Sequence, residues 1–236
     1  MKSYFYQKLI YKLVSQIIIL PIYKLIFRGK LIGKENIPQR GAFIMVSNHG
    51  SLLDPPLLGH AIGRNISFMA KAELFRIPLL GFIIKSCGAY PVKRGIVDKT
   101  TIKTACEKLL NNNSIGIFID GTRQKDGRVN KPKQGAALLS FKNQKMLLPV
   151  AIINSNRLVR LKFFIPFFTK IIIRVGKPIN PPEGASKTEL TKVTNYLMDS
   201  KGNIYDMEGN FIGSTNVDDM TYPDHDSEDY IHELED

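Results

Sequence analysis

Cysteine is scarce in this chain. Cys87 and Cys106 are the only two in 236 residues. Their separation suits neither a zinc-ligand pair nor a redox dithiol, and two thiols build no disulfide framework. They read as buried thiols of a reducing compartment. Long hydrophobic runs are also missing. The longest uncharged stretch near the N-terminus, residues 13–23, lies between Lys12 and Lys24. It falls short of the about 20 residues a membrane span needs. No small-residue cleavage site follows it, so no secretory signal is predicted. Internal repeats are lacking, and so is any recognisable nucleic-acid module.

Positive charge is missing from the end of the chain. The 33 Lys and Arg residues all lie at or before Lys201, with ten of the 21 acids, a balance of +23. The last 35 residues carry the other eleven acids and no base. A body this basic points to a polyanionic partner: nucleic acid, anionic lipid or a phosphorylated substrate. Without a nucleic-acid module, the first is set aside. The acidic tail could fold back on the body and compete with phosphates, or serve only solubility.

Three regions are expected: a leader over 1–34, a domain over 35–201 and a disordered acidic tail over 202–236, with a hairpin over 202–213 turning at Glu208, Gly209 and Asn210. In the leader, Tyr6, Leu9, Ile10, Leu13, Val14, Ile17 and Ile18 recur at helical spacing among lysines. That pattern predicts an amphipathic helix able to lie on an anionic membrane, ended or kinked by Pro21, with a second short piece over 23–28. The domain alternates. Strands are predicted over 42–47, 65–70, 88–92, 114–119, 147–153 and 170–175, and helices over 55–62, 79–85, 97–111, 134–143 and 187–199. This alternation implies an α/β fold with a mainly parallel sheet flanked by helices, and a site at one end of the strands. The aromatic stretch 161–168 is either a core plug or a lipid-touching surface.

Chemistry gathers after three strands. The first is followed by Asn48-His49-Gly50-Ser51-Leu52-Leu53-Asp54. Residues five apart on a helix are rotated by about 140°. His49 and Asp54 therefore meet only if the chain turns at Gly50 and Ser51. Pro55 and Pro56 suit a helix start, so Asp54 could equally be a helix cap and His49 a structural histidine. The third strand ends at Lys93-Arg94. The fourth ends in Asp120-Gly121-Thr122-Arg123, where a guanidinium beside turn amides matches a phosphate.

Asn48-His49-x-x-x-x-Asp54 with the Gly-Thr-Arg loop resembles the glycerolipid acyltransferases, the 1-acylglycerol-3-phosphate acyltransferases. The resemblance runs from about Gly33 to Pro178. Residues 32–38 resemble the family's lead-in, and Lys71-Ala72-Glu73-Leu74-Phe75 with 88–94 its second block. Residues 120–123 with Lys133-x-Gly135-Ala136 resemble its third, and 148–152 its fourth. Ile119 and Asp120 stand where that family's pattern has Pro and Glu, and Lys93 where an acidic or polar residue is frequent. The resemblance implies acyl transfer from acyl-CoA or acyl carrier protein to the sn-2 hydroxyl of 1-acylglycerol 3-phosphate. His49 would be the general base and Asp54 its partner. Asn48, Ser51, Lys93, Arg94, Asp120, Gly121, Thr122 and Arg123 would bind substrate, with no metal or cofactor. The leader would hold the enzyme on the reducing, cytoplasmic face of a membrane. The alternatives are an acyltransferase acting on glycerol 3-phosphate or another lysophospholipid, and a non-catalytic anionic-lipid binder.

Overall fold

The structure, a computed structural model, describes residues 2–92, 99–127, 129, 132–160, 169–197, 203–205 and 211–214. The expectations for Lys93, Arg94 and the aromatic stretch 161–168 fall outside the described residues.

Among the described residues, nine strands form two sheets. The larger contains β1 (Lys30–Ile32), β2 (Ile44–Ser47), β3 (Ile66–Lys71), β4 (Tyr90–Val92), β5 (Ser114–Phe118), β6 (Leu147–Ile153) and β7 (Ile172–Val175), in the order β1-β7-β6-β2-β5-β3-β4. Only the β6–β7 pairing is antiparallel; the others are parallel. β2 and β6 are buried along their whole length, as the continuous apolar runs of a sheet covered on both faces require. Alternate residues face opposite cores. Ile44 and Val46 pack with helices α4 (Lys99–Leu110), α5 (Gly135–Asn143) and α7 (Lys187–Leu197). Phe43 and Met45 pack with α2 (Asp54–Ile62) and the leader. Each large aliphatic side chain buried this way contributes about 1.5–3 kcal/mol.

One strand of the larger sheet departs from expectation. β1 was not foreseen, because three residues of mixed exposure carry no period. It is held by β7, with Lys30 opposite Ile172. The reversal at β7 makes β1 run against the central strands. In the tail, β8 (Asn203–Tyr205) and β9 (Phe211–Ser214) pair antiparallel where a hairpin was expected; the expected turn residues lie outside the described ones.

The leader corrects the sequence reading twice. α1 (Lys2–Leu13) continues without a break through wide π-helical turns at Val14–Ile19 and Ile22–Ile26. Pro21 does not end it, because the wider turns on either side take up the missing amide bond and the ring. The charge-free count also understated its reach. Leu9–Ile26 is long and apolar enough, by length and composition, to cross a membrane, and the protein covers little of it. The stripe named from the sequence is not the packing face. Tyr6, Leu9, Leu13, Ile17 and Ile18 are exposed, while Ile19, Tyr23 and Phe27, spaced by four, are buried. Polar contacts fix that inner face. Tyr11 donates to the Arg64 carbonyl at 2.9 Å, and Ser15 Oγ lies 2.8 Å from His60 Nδ1. Burial, then the nearby Lys24 charge, holds His60 below its ordinary pKa.

Candidate active site

β2, β5 and β3 run in the same direction, so their C-terminal ends share one edge of the sheet. Ser47 at the end of β2 lies opposite Phe118 at the end of β5. The chain leaving β2 and the chain leaving β5 therefore emerge side by side.

The first of these turns brings His49 and Asp54 together. His49 Nδ1 and Asp54 Oδ2 are 2.8 Å apart. The same oxygen accepts the backbone N–H groups of Gly50 at 2.7 Å and Ser51 at 2.8 Å. Asp54 is completely buried, and its Oδ1 makes no hydrogen bond. Its helix starts with Asp54 itself, after Leu53 at the cap position, and the cap makes no side-chain bond. The capping role considered for Asp54 is thus corrected: its carboxylate points back to the turn. The turn has little freedom. A Cβ on Gly50 would stand 2.8 Å from the backbone nitrogen of Asn156, so only glycine fits. With Nδ1 engaged, Nε2 is the ring nitrogen left to take a proton.

The imidazole plane is fixed from the other side. The Phe118 ring stacks on it, with centroids 3.8 Å apart and planes 12° from parallel. Phe68 stacks on Phe118 in turn at 5.5 Å. Room for Phe68 comes from Gly116, whose Cβ would meet that ring at 2.3 Å. No sequence period marks this column, because its members come from two strands. Phe68, Gly116 and Phe118 went unassigned for that reason.

Asn48 and Ser51, expected to bind substrate, are both placed inside the turn. Asn48 is buried, and its amide is fully used within the protein. Nδ2 donates to the Ile152 carbonyl at 2.8 Å and the Gly127 carbonyl at 3.2 Å, and Oδ1 accepts the Ile152 N–H at 2.9 Å. It ties the end of β2 to β6 and to the neighbouring loop. Ser51 is buried too, and its Oγ accepts the Leu53 N–H at 3.2 Å. Both residues build the turn.

The second turn, after β5, is of another kind. Ile119 donates its N–H to the Ser47 carbonyl at 3.0 Å, a bond that the proline of the family pattern could not make. Asp120 is buried, whereas Gly121, Thr122 and Arg123 are exposed. Gly121 has φ of +70°, the left-handed region that suits glycine, and its N–H bonds the Phe118 carbonyl at 2.9 Å. Lys133 Nζ comes within 3.1 Å of where a Gly121 Cβ would stand. The loop is sewn to the first turn, since Gln124 donates its N–H to the His49 carbonyl at 2.8 Å. The structure thus sets an exposed arginine on the loop beside a held histidine. Among the described residues, no cluster of His, Cys, Asp and Glu suits a metal ion.

Known proteins resemble this chain in sequence and in fold. Residues 28–153, just over half the chain, match the family model described as Acyltransferase. A 1-acyl-sn-glycerol-3-phosphate acyltransferase of Bacillus subtilis is 33% identical over 173 residues, covering 71% of this chain and 83% of that protein. One from Helicobacter pylori is 38% identical over 127 residues, covering 52% and 53%. A chloroplastic one from Arabidopsis thaliana is 31% identical over 153 residues, covering 63% of this chain and 41% of that protein. The chain thus spans about half or less of the length of several relatives. The crystal structure of the 1-acyl-sn-glycerophosphate acyltransferase PlsC from Thermotoga maritima superposes with a TM-score of 0.67 at 29% identity, covering 80% of this chain and 76% of that one. With the family model matched across both turns and the fold matched over most of the sheet, this chain belongs to the acyltransferase family.

Proposed function

We propose that the protein transfers a fatty acyl group from a thioester, acyl-CoA or acyl carrier protein, to the sn-2 hydroxyl of 1-acylglycerol 3-phosphate, giving phosphatidic acid. The observation that carries this reading is the His49–Asp54 pair at the strand-end edge, with an arginine loop beside it. The names of the relatives supply the acceptor.

An alcohol attacks a thioester carbonyl poorly until it loses its proton. His49 Nε2 takes that proton as the oxygen–carbon bond forms. Asp54 holds Nδ1 and so presents Nε2 in its accepting tautomer. The bare Oδ1 leaves this carboxylate short of partners, so positive charge arriving on the ring is favourable there. The carbon–sulfur bond then breaks, and the leaving thiolate recovers the proton from Nε2 as a free thiol. The hydroxyl acts directly, with no enzyme acyl intermediate. Such base catalysis contributes roughly 10²–10⁴-fold. Arg123, with Lys93 and Arg94, would grip the acceptor phosphate, and Gly121 and Thr122 would shape the loop that presents it.

The leader seats the enzyme on the cytoplasmic face of an anionic membrane, where acceptor and product reside. Support comes from the exposed apolar face of a helix flanked by lysines. The test is His49→Ala. Acyl transfer from labelled acyl-CoA to lysophosphatidate should fall at least a hundredfold while vesicle binding persists; full activity in this variant would overturn the mechanism.

A further inference from the structure

Large hydrophobic side chains are not exposed at random on the domain. Outside the leader, those exposed among the described residues are Leu52, Leu53, Ile77, Leu79, Leu80, Phe82, Leu110 and Met146. Six of these eight belong to two segments, and topology brings both segments to the catalytic edge. Leu52 and Leu53 stand in the turn after β2, between His49 and Asp54. Ile77 and the start of α3 (Pro78–Ser86) follow the C-terminal end of β3, which shares its direction with β2 through β5. Leu110 and Met146 lie at the opposite edge, just before β5 and β6.

A third segment joins them by the reversal at β7. Ile153, at the C-terminal end of β6, lies opposite Ile172, and Ile172 lies opposite Lys30. Lys30 therefore stands at the catalytic edge, and so does the end of the leader that feeds into it. Leu25, one turn earlier, is 76% exposed. Cations accompany these groups: Lys24, Lys71 and Arg76 are exposed beside them, with Glu73 the acid in that span.

We infer that the leader's end, the turn after β2 and the start of α3 form one apolar rim around His49 that inserts into an anionic bilayer. This rests on the reading that the enzyme works on membrane lipid, and adds the domain's own contribution to docking. An apolar patch ringed by basic residues suits the boundary between acyl chains and acidic headgroups. A lysophosphatidate could then reach His49 Nε2 by rising slightly, its chain still in lipid and its phosphate beside Arg123.

The chain has no tryptophan, so Phe82→Trp creates a single reporter and Leu110→Trp a matched one on the far edge. With vesicles of phosphatidylglycerol and phosphatidylcholine in equal parts, the tryptophan at position 82 should shift to the blue and be quenched by brominated acyl chains. The one at position 110 should do neither. Equal responses, or a silent position 82 in vesicle-bound protein, would overturn the rim. A blue shift at position 82 that grows with protein concentration without vesicles would also overturn it, by naming a second copy as the occupant. The double variant Leu79→Ser/Phe82→Ser should float with the same vesicles about tenfold less well; unaltered flotation counts against the proposal. These readouts need no turnover. If the Phe82→Trp and Leu110→Trp proteins show the position-dependent insertion but the wild-type protein acylates no lysophosphatidate, the rim stands and the assigned reaction falls.

Discussion

The turns after β2 and β5 begin one strand apart and are built in opposite ways. The first is closed. Its carboxylate is wholly buried under three donors, its histidine lies between that carboxylate and an aromatic ring, and Asn48 spends its whole amide behind it. The second is open, with Gly121, Thr122 and Arg123 on the surface. A proton acceptor must be aligned before substrate arrives, since small errors of geometry cost much of the rate. A phosphate is a large, symmetric anion, and a long cationic side chain can close on it after it arrives. The fold puts its rigidity where the proposed proton transfer would occur.

Four changes would break or sharpen this contrast. Asp54→Asn should have the largest effect. It removes the charge that steadies the imidazolium, and turnover should drop about 10²-fold or more with acceptor KM little changed. Asn48→Ala should come next, as a loss of stability of about 2–4 kcal/mol, because it strands the Ile152 N–H and two carbonyls in the interior; urea titration measures it. Arg123→Ala, in the open loop, should leave stability unaltered and raise the KM for lysophosphatidate about tenfold, in line with a lost charged phosphate contact. A large loss of stability in this variant would mean that the loop is no freer than the turn. Phe118→Leu should have the smallest effect, a severalfold fall in kcat at constant KM that Phe118→Tyr restores. An unchanged kcat would show that Asp54 alone orients the ring.

The legible parts of the site were local. His49, Gly50, Ser51 and Asp54 form a turn within one short segment, so spacing and turn chemistry predict their meeting. The internal contacts of Asn48 were not legible because its partners lie 79 and 104 residues away; a polar residue beside a histidine turn reads as a ligand until those contacts are known. The Phe68–Phe118–His49 column was hidden for the same reason. In the fold, the central strands announce themselves by unbroken apolar runs. β1 is too short to do so and exists because β7 reaches it. Pro21 reads as an end or a kink, whereas its effect depends on whether neighbouring turns can widen, which no local pattern states.

The pairing of β1 with β7 also sets an order of events. Residues 30–32 cannot dock until residues 172–174 exist. As the chain is made, the apolar leader is complete long before the strand that fastens it. For that interval it has only the α2 segment to pack on and its far end is unfastened, so much of its apolar surface is left to aggregate or find lipid. A bilayer met during synthesis would then act as a holding site, and the domain would close over its own anchor last.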